Sequence, residues 1–405
     1  MVSRSQLAVW PLAAMLLACP LSRPVLAQDV PKHEAPIPAA MLALMAARDT
    51  SAAAPVLIRS YKKEAELEIW KKARSGRYVL VKTFPICRWS GQLGPKAKQG
   101  DRQTPEGFYS VAPKQMNPNS AYYLSFDVGF PNAYDKAHGA SGSYLMVHGT
   151  CSSAGCYAMT DKAVGEIYAI AREAFAGGQR AFQFQAYPFR MTAQNMAKHR
   201  SDPHIAFWRQ LKEGSDRFEA TGEEPAVSVA GGRYVFGPSK DPAREALAAA
   251  RRSEEDAKVA GLIADGSAAV RTTYSDGGQH ASFAALARQG MYLGMVSRPE
   301  ALALAGREIV ITPARPKPKE APVKVASLSE PTTSPPRLAD PLALAEPEPS
   351  VFSPIPLKEG ATRIILASAA AESPKVMPIF ATSASLGLVA GRYGIGISPA
   401  GEGTW

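Results

Sequence analysis

The sequence predicts an α+β, strand-dominated domain, and three observations lead there. Short runs of β-branched and aromatic residues recur between turn signals: VLIRSY from Val56, ELEIWK from Glu66, YVLVKTF from Tyr78 and FQFQAY from Phe182. That is the signature of half-buried strands. An amphipathic helix sits among them. After Thr160-Asp161, either able to cap, apolar residues fall at Ala163, Val164, Ile167, Ile170, Ala171, Ala174 and Phe175, and Gly177-Gly178 ends the run. Finally, 46% hydrophobic against 20% charged residues in 405 leaves material for a core of its own.

Taken in order, residues 1–27 read as an export signal. Arg4 supplies the positive end, Leu7 to Cys19 an apolar stretch broken by Pro11, and Val25-Leu26-Ala27 a small-residue cleavage pattern. A lipid anchor on Cys19 is the competing reading, weakened by Leu17 and Pro20. No later segment has the unbroken apolar length of a membrane span.

A helix is predicted over Ala39–Ala47, then strands over Val56–Tyr61, Ala65–Lys71 and Tyr78–Phe84, the last two forming a hairpin through Ser75-Gly76. In the second strand Leu67 and Ile69 alternate with Glu66, Glu68 and Trp70. The turn Thr104-Pro105-Glu106-Gly107 feeds a strand over Phe108–Ala112, and another strand ends near Val128. The helix from Asp161 is followed by a strand to Tyr187, a helical stretch Thr192–Glu213 interrupted before Pro203, and a closing segment Ala226–Phe236.

The principal domain is therefore expected over residues 50–240. A helical extension is expected over 241–312, a Pro-rich disordered linker over 313–360, and a segment of no assigned structure over 361–405.

The formal net charge of +10 and pI near 9.3 favour contact with anionic polymers. An export signal and the lack of a basic stripe with stacking aromatics argue against nucleic acid. No cluster has metal-ligand spacing, so neither a metal nor another cofactor is expected.

The chemistry is concentrated in SGSYLMVHGTCSSAGCYAMTD, Ser141 to Asp161. An apolar run delivers His148-Gly149, and a Ser/Thr/Gly loop leads to Gly155-Cys156. An imidazole and the positive end of a helix are two devices that lower a thiol's pKa, although the helix begins too far on to help more than modestly. Gly155 and Gly149 let backbone approach a substrate, and the amides around Ser153, Ala154, Gly155 and Cys156 are candidates for holding an oxyanion. The bland alternative is a small buried Cys156 and a satisfied His148. In the preceding loop Tyr134 and Lys136 are candidates for lining a peptide groove, and His138 reads as a loop histidine.

Once Cys19 leaves with the signal, Cys87, Cys151 and Cys156 remain. In an oxidising compartment one disulfide plus one free thiol is economical, and pairing Cys87 with Cys151 leaves Cys156 reactive. The other possibility is that Cys87 and Cys151 stand apart and inert.

The motif resembles the L,D-transpeptidase family of bacterial cell-wall enzymes, whose YkuD-type domain carries His-Gly and then Ser-x-Gly-Cys, here His148-Gly149 and Ser153-Ala154-Gly155-Cys156. It is most similar to the YafK-like subgroup with a short His-to-Cys loop and Tyr-Ala-Met-Thr after the Cys. Further matches are CRWSGQLGPKAKQGDRQTPEGFYSV from Cys87 and FPNAYDKAHG from Phe130. Two positions depart from the commoner pattern: Ala154 stands where many members have a second His, and Ala158 where they have Arg.

The resemblance implies a YkuD-type catalytic domain with Cys156 as nucleophile and His148 as proton acceptor. Its partners would be murein stem peptides, in the periplasm. It further implies attack on the carbonyl of diaminopimelate, a thioester, and resolution by an amine. The subgroup also includes members that hydrolyse the bond tying an outer-membrane lipoprotein to murein, so a Cys hydrolase is the runner-up. A murein-binding protein without turnover is the alternative from another class.

Overall fold

The computed structural model describes residues 30–291, 302 and 305–315. The expected signal segment, Cys19, residues 361–405 and all but the first three residues of the Pro-rich linker lie outside the described residues.

In chain order the elements are α1 (Ala39–Ala47), β1 (Val56–Tyr61), β2 (Glu66–Lys72), β3 (Tyr78–Pro85), β4 (Gly107–Val111), β5 (Met116–Asn117), β6 (Ser125–Asp127), α2 (Ala133–Ala137), β7 (Met146–His148) and β8 (Tyr157–Ala158). There follow α3 (Asp161–Ala176), β9 (Phe182–Tyr187), α4 (Ala193–Lys198), α5 (Ile205–Thr221), β10 (Val227–Ala230), β11 (Arg233–Phe236), α6 (Pro242–Ala264), β12 (Ala269–Thr273), α7 (Ala281–Arg288) and β13 (Arg307–Thr312).

The larger sheet runs β3-β2-β1-β9-β4, with β1 and β9 its parallel pair. The smaller runs β5-β6-β7-β8, with β7 and β8 parallel. Their inner faces meet through aromatic edges: Phe126 against Phe182 at 5.7 Å and Tyr157 against Phe184 at 5.3 Å between ring centroids. Helix α3 carries the chain from the second sheet to the first. It buries Val164, Ile167, Ile170, Ala171 and Ala174, the face its spacing predicts, and Thr160 Oγ accepts from the Ala163 N–H at its start.

β1 and β9 are buried on both faces because they lie centrally, so their polar residues must be satisfied inside. Arg59 is ion-paired to Glu219 and bonded to Ser215 Oγ at 2.8 Å. Glu68, on the polar side of the predicted alternation, is buried and takes Arg190 Nη1 at 2.8 Å and Trp70 Nε1 at 2.8 Å.

A second buried pair pins the Thr104–Gly107 turn beneath the smaller sheet. Lys62 Nζ lies 2.9 Å from Glu106 Oε1 and donates to Thr104 O at 2.9 Å and Gly94 O at 3.2 Å. Glu106 also accepts from Gly94 N–H (2.7 Å) and Trp208 Nε1 (2.9 Å), which satisfies both carboxylate oxygens.

The described residues of 241–312, a range expected as a helical extension, include one long helix, a two-stranded sheet and the short α7. Helix α6 lies on α5 through Lys212–Glu255 (3.1 Å) and Arg217–Glu245 (2.6 Å). The segment before α7 then pairs with the chain around Trp89: Trp89 N–H to Gly278 O (3.0 Å), Gly278 N–H to Trp89 O (3.1 Å) and Gly277 N–H to Gly91 O (2.7 Å). Gly277 is required there, since a Cβ would fall 1.9 Å from Trp89 O. His199, buried, joins α4 to β12 through Thr272 Oγ1 at 2.9 Å. Packing is thus continuous across the boundary expected at 240.

Candidate active site

The smaller sheet brings the two candidate groups together. Phe126, Val147 and Tyr157 stand in register and face the core, so Met146 and His148 project from the opposite face. The register pairs His148 with Ser125 on one side and Ala158 on the other, and Met146 with Asp127. One residue earlier than the paired stretch, Cys156 comes beside Met146, whose N–H lies 3.4 Å from Sγ; the thiol faces Tyr144 O at 3.9 Å. By register Cys156, one residue before β8, falls opposite Met146, so His148 and Cys156 sit two positions apart along the same face of adjoining parallel segments.

His148 is buried, and its Nδ1 lies 2.6 Å from Gly149 O. A carbonyl only accepts, so the neutral ring carries its proton on Nδ1 and keeps the Nε2 lone pair for a proton. The Tyr122 ring covers the imidazole at 4.7 Å. Burial pushes the His148 pKa below 6.5 against the opposing pull of the Gly149 carbonyl, so the ring is neutral at neutral pH.

Burial also pushes the Cys156 thiol up. The Met146 N–H and Lys96 oppose this, while the charge of Asp127 adds to it. The expected thiolate is thus reversed into a resting neutral thiol, because the site is desolvated and α3 begins five residues further on at Asp161. Alkylation of Cys156 by iodoacetamide should be slower than that of free cysteine at pH 7 and should climb with pH through the raised pKa. Labelling faster than free cysteine at neutral pH would contradict this electrostatic picture.

The loop between His148 and Cys156 is held in an unusual conformation. Thr150 and Cys151 have φ of 69° and 49°, left-handed values that side chains with a Cβ rarely adopt. Asp161 Oδ1 accepts from Thr150 N–H at 2.8 Å, Met159 O accepts from Cys151 N–H at 3.1 Å, and Cys151 is disulfide-bonded to Cys87 with Cα atoms 5.2 Å apart. Phe283 and Leu286 of α7 pack on that disulfide. Gly149 is needed for space, since a Cβ would lie 2.5 Å from Asp161 Oδ1, and Gly155 for its φ of 139°. Cys156 is the free thiol among the described residues.

Ser153 organises the backbone of the thiol. Its buried Oγ donates to Cys156 O (2.7 Å) and accepts from the N–H groups of Cys156 (3.0 Å) and Gly155 (3.2 Å). Ser90 Oγ stands 3.1 Å away, and Thr104 Oγ1 donates to Cys156 O at 3.2 Å. The amides expected to wait for an oxyanion are therefore engaged at rest, and an oxyanion competes with the Ser153 hydroxyl for them. Ala154 is exposed.

Ser90 and Thr104 were missed as site residues, although both lie in the Cys87–Val111 stretch that carried the resemblance. Beside Ala158, where arginine is the commoner family residue, an isolated bridge brings in Arg88, whose guanidinium donates to Asp276 O. Tyr134 does not line a groove. It is buried in a ring stack with His138 (4.1 Å), Tyr234 (4.6 Å) and Phe207 (5.0 Å). Lys136 is an exposed residue of α2. Among the described residues no group of three His, Cys, Asp or Glu could hold a metal ion.

Residues 57–176 match the family described as the L,D-transpeptidase catalytic domain, YkuD. Over 181 residues the chain is 49% identical to the "Putative L,D-transpeptidase YafK" of Escherichia coli (strain K12), covering 45% of this chain and 73% of that protein. The chain belongs to the L,D-transpeptidase family. The same identity and coverage hold for the protein of that name from Escherichia coli O157:H7. Among solved structures, the helical cell shape determining protein Pgp2 from Campylobacter jejuni is 14% identical with a TM-score of 0.27, over 57% of this chain and 80% of that one. L,D-transpeptidases act on peptidoglycan peptides, which implies an extracytoplasmic location, and among the described residues no helix is long and apolar enough to cross a membrane.

Proposed function

We propose that the protein is a murein acyltransferase of the L,D-transpeptidase type, with Cys156 as nucleophile and His148 as general base. The observation that carries this reading is the pairing of a Cys156 thiol held by the Met146 N–H with a His148 ring whose Nδ1 is fixed on Gly149 O. His148 Nε2 takes the thiol proton as Sγ attacks the carbonyl of the third stem residue, diaminopimelate. The tetrahedral oxyanion draws on the Gly155 and Cys156 amides, each such donor being worth roughly 3 kcal/mol in comparable sites. Collapse expels D-Ala, whose amine recovers the proton from the imidazolium, and leaves a thioester on Cys156. An amine of a second stem peptide resolves it into a cross-link. The site works after export by the 1–27 segment, in the periplasm.

Water in place of the amine makes the same site a hydrolase, able to release a murein-linked lipoprotein. The full chain should therefore be incubated with tetrapeptide muropeptides and, separately, with lipoprotein-linked murein, and the products weighed. Dimers joined between two diaminopimelates, with free D-Ala, are expected. Tripeptide or freed lipoprotein peptide without dimers would assign hydrolysis. Binding without any product would overturn catalysis in favour of a murein-binding module.

A further inference from the structure

Asp127 occupies a position that chemistry at a thiol does not by itself favour. Gly149 N–H donates to Leu124 O and Val128 N–H to Leu145 O, so along β6 and β7 the hydrogen-bonded pairs fall at 124/149 and 128/145. By alternation Asp127 and Met146 form one of the narrow pairs, with their side chains on the same face and in closest approach. Met146 in turn holds Cys156 Sγ through its N–H at 3.4 Å. One strand spacing plus that bond separates the Asp127 backbone from the sulfur, a gap on the order of 8 Å.

The Asp127 carboxylate is only half served. Oδ1 accepts from Gly129 N–H at 2.8 Å, its second oxygen takes no hydrogen bond among the described residues, and it forms no ion pair there. Lys96, the nearby cation, is already ion-paired to Asp101 and donates to Lys98 O at 2.9 Å. An uncompensated negative charge beside a thiol opposes the thiolate that attack requires. A bound cation removes that opposition.

We propose that Asp127 is the receptor for an ammonium group on the acyl-donor residue, so that the protein selects donors whose side chain ends in a cationic amine. This inference rests on the acyl-transfer reading of Cys156. Diaminopimelate has such an ammonium on the terminal carbon of its side chain, beside a carboxylate, several bonds beyond the attacked carbonyl. Seating that amine on Asp127 aligns the carbonyl with Sγ. The ammonium also pairs with the Asp127 charge that disfavours the thiolate, and Cys156 becomes most reactive when the correct donor is present.

Two arms test this on the full chain. In the first, wild-type protein receives tetrapeptide muropeptide with the side-chain amine free or acetylated, each with the same excess of unmodified tripeptide muropeptide as acyl acceptor, and D-Ala release is followed; the acetylated donor should lose at least about tenfold in kcat/KM. In the second, Asp127→Asn should lose a similar factor on the free amine and treat both donors alike, while its Cys156 alkylates about two- to tenfold faster than wild type in the absence of substrate. These opposite directions separate a charge effect from a folding defect. Equal turnover of both donors by wild-type protein overturns the inference and leaves acyl transfer standing. Turnover of neither overturns both.

Discussion

Cys156→Ser should reduce turnover at least about a thousandfold while leaving the melting temperature within a degree or two. The substitution is nearly isosteric, and the sulfur contributes little to the fold. Its recorded partners are the Met146 N–H at 3.4 Å and Tyr144 O at 3.9 Å. A neutral imidazole with a lowered pKa can relay a thiol proton but is a weak base for a serine hydroxyl, whose pKa lies far higher. The loop geometry set by Asp161, Ser153 and the Cys87–Cys151 bond does not depend on sulfur at position 156. Product yield from tetrapeptide muropeptide, measured beside thermal unfolding, checks both halves.

Lys62→Met should destabilise the protein by about 3–5 kcal/mol, because it leaves Glu106 as an uncompensated buried charge. Both side chains are fully buried, and Glu106 would keep the donors from Gly94 and Trp208 but lose its cation. The loss should appear as a lower urea midpoint with an unchanged slope. Lys62→Met combined with Glu106→Gln should recover part of it, since the double change removes the charge as well as its partner. Because the same turn carries Thr104 Oγ1 onto Cys156 O, activity should fall with stability in the single variant and return in part in the double. A single variant as stable as wild type would show that the pair does not carry the turn.

Much of this was legible from local pattern. Helix α3 begins and ends where Thr160 and Gly177 signal, and α1 spans Ala39–Ala47 as predicted. His148-Gly149 and Ser153-x-Gly155-Cys156 mark the candidate site because they lie close together in sequence. What could not be read were consequences of long-range packing. Tyr134 looks like a loop aromatic until Phe207 and Tyr234 arrive from more than seventy residues away to stack on it. The thiol's raised pKa follows from desolvation, which no local motif encodes. The segment from Tyr274 to His280 carries no periodicity, yet it pairs with Trp89 and backs the chain bearing Cys87 and Ser90. Asp127 escaped notice because a lone aspartate at a strand end is ordinary until the register sets it opposite Met146.

The central claim, that the reaction passes through a thioester on Cys156, is tested most directly by intact mass. Wild-type protein should be mixed with tetrapeptide muropeptide and quenched in acid during turnover. The expected result is an adduct equal to the donor minus D-Ala, mapped to the peptide containing Cys156, removed by neutral hydroxylamine and absent from Cys156→Ser. Turnover by Cys156→Ser at the wild-type rate, with no adduct on either protein, would contradict the account.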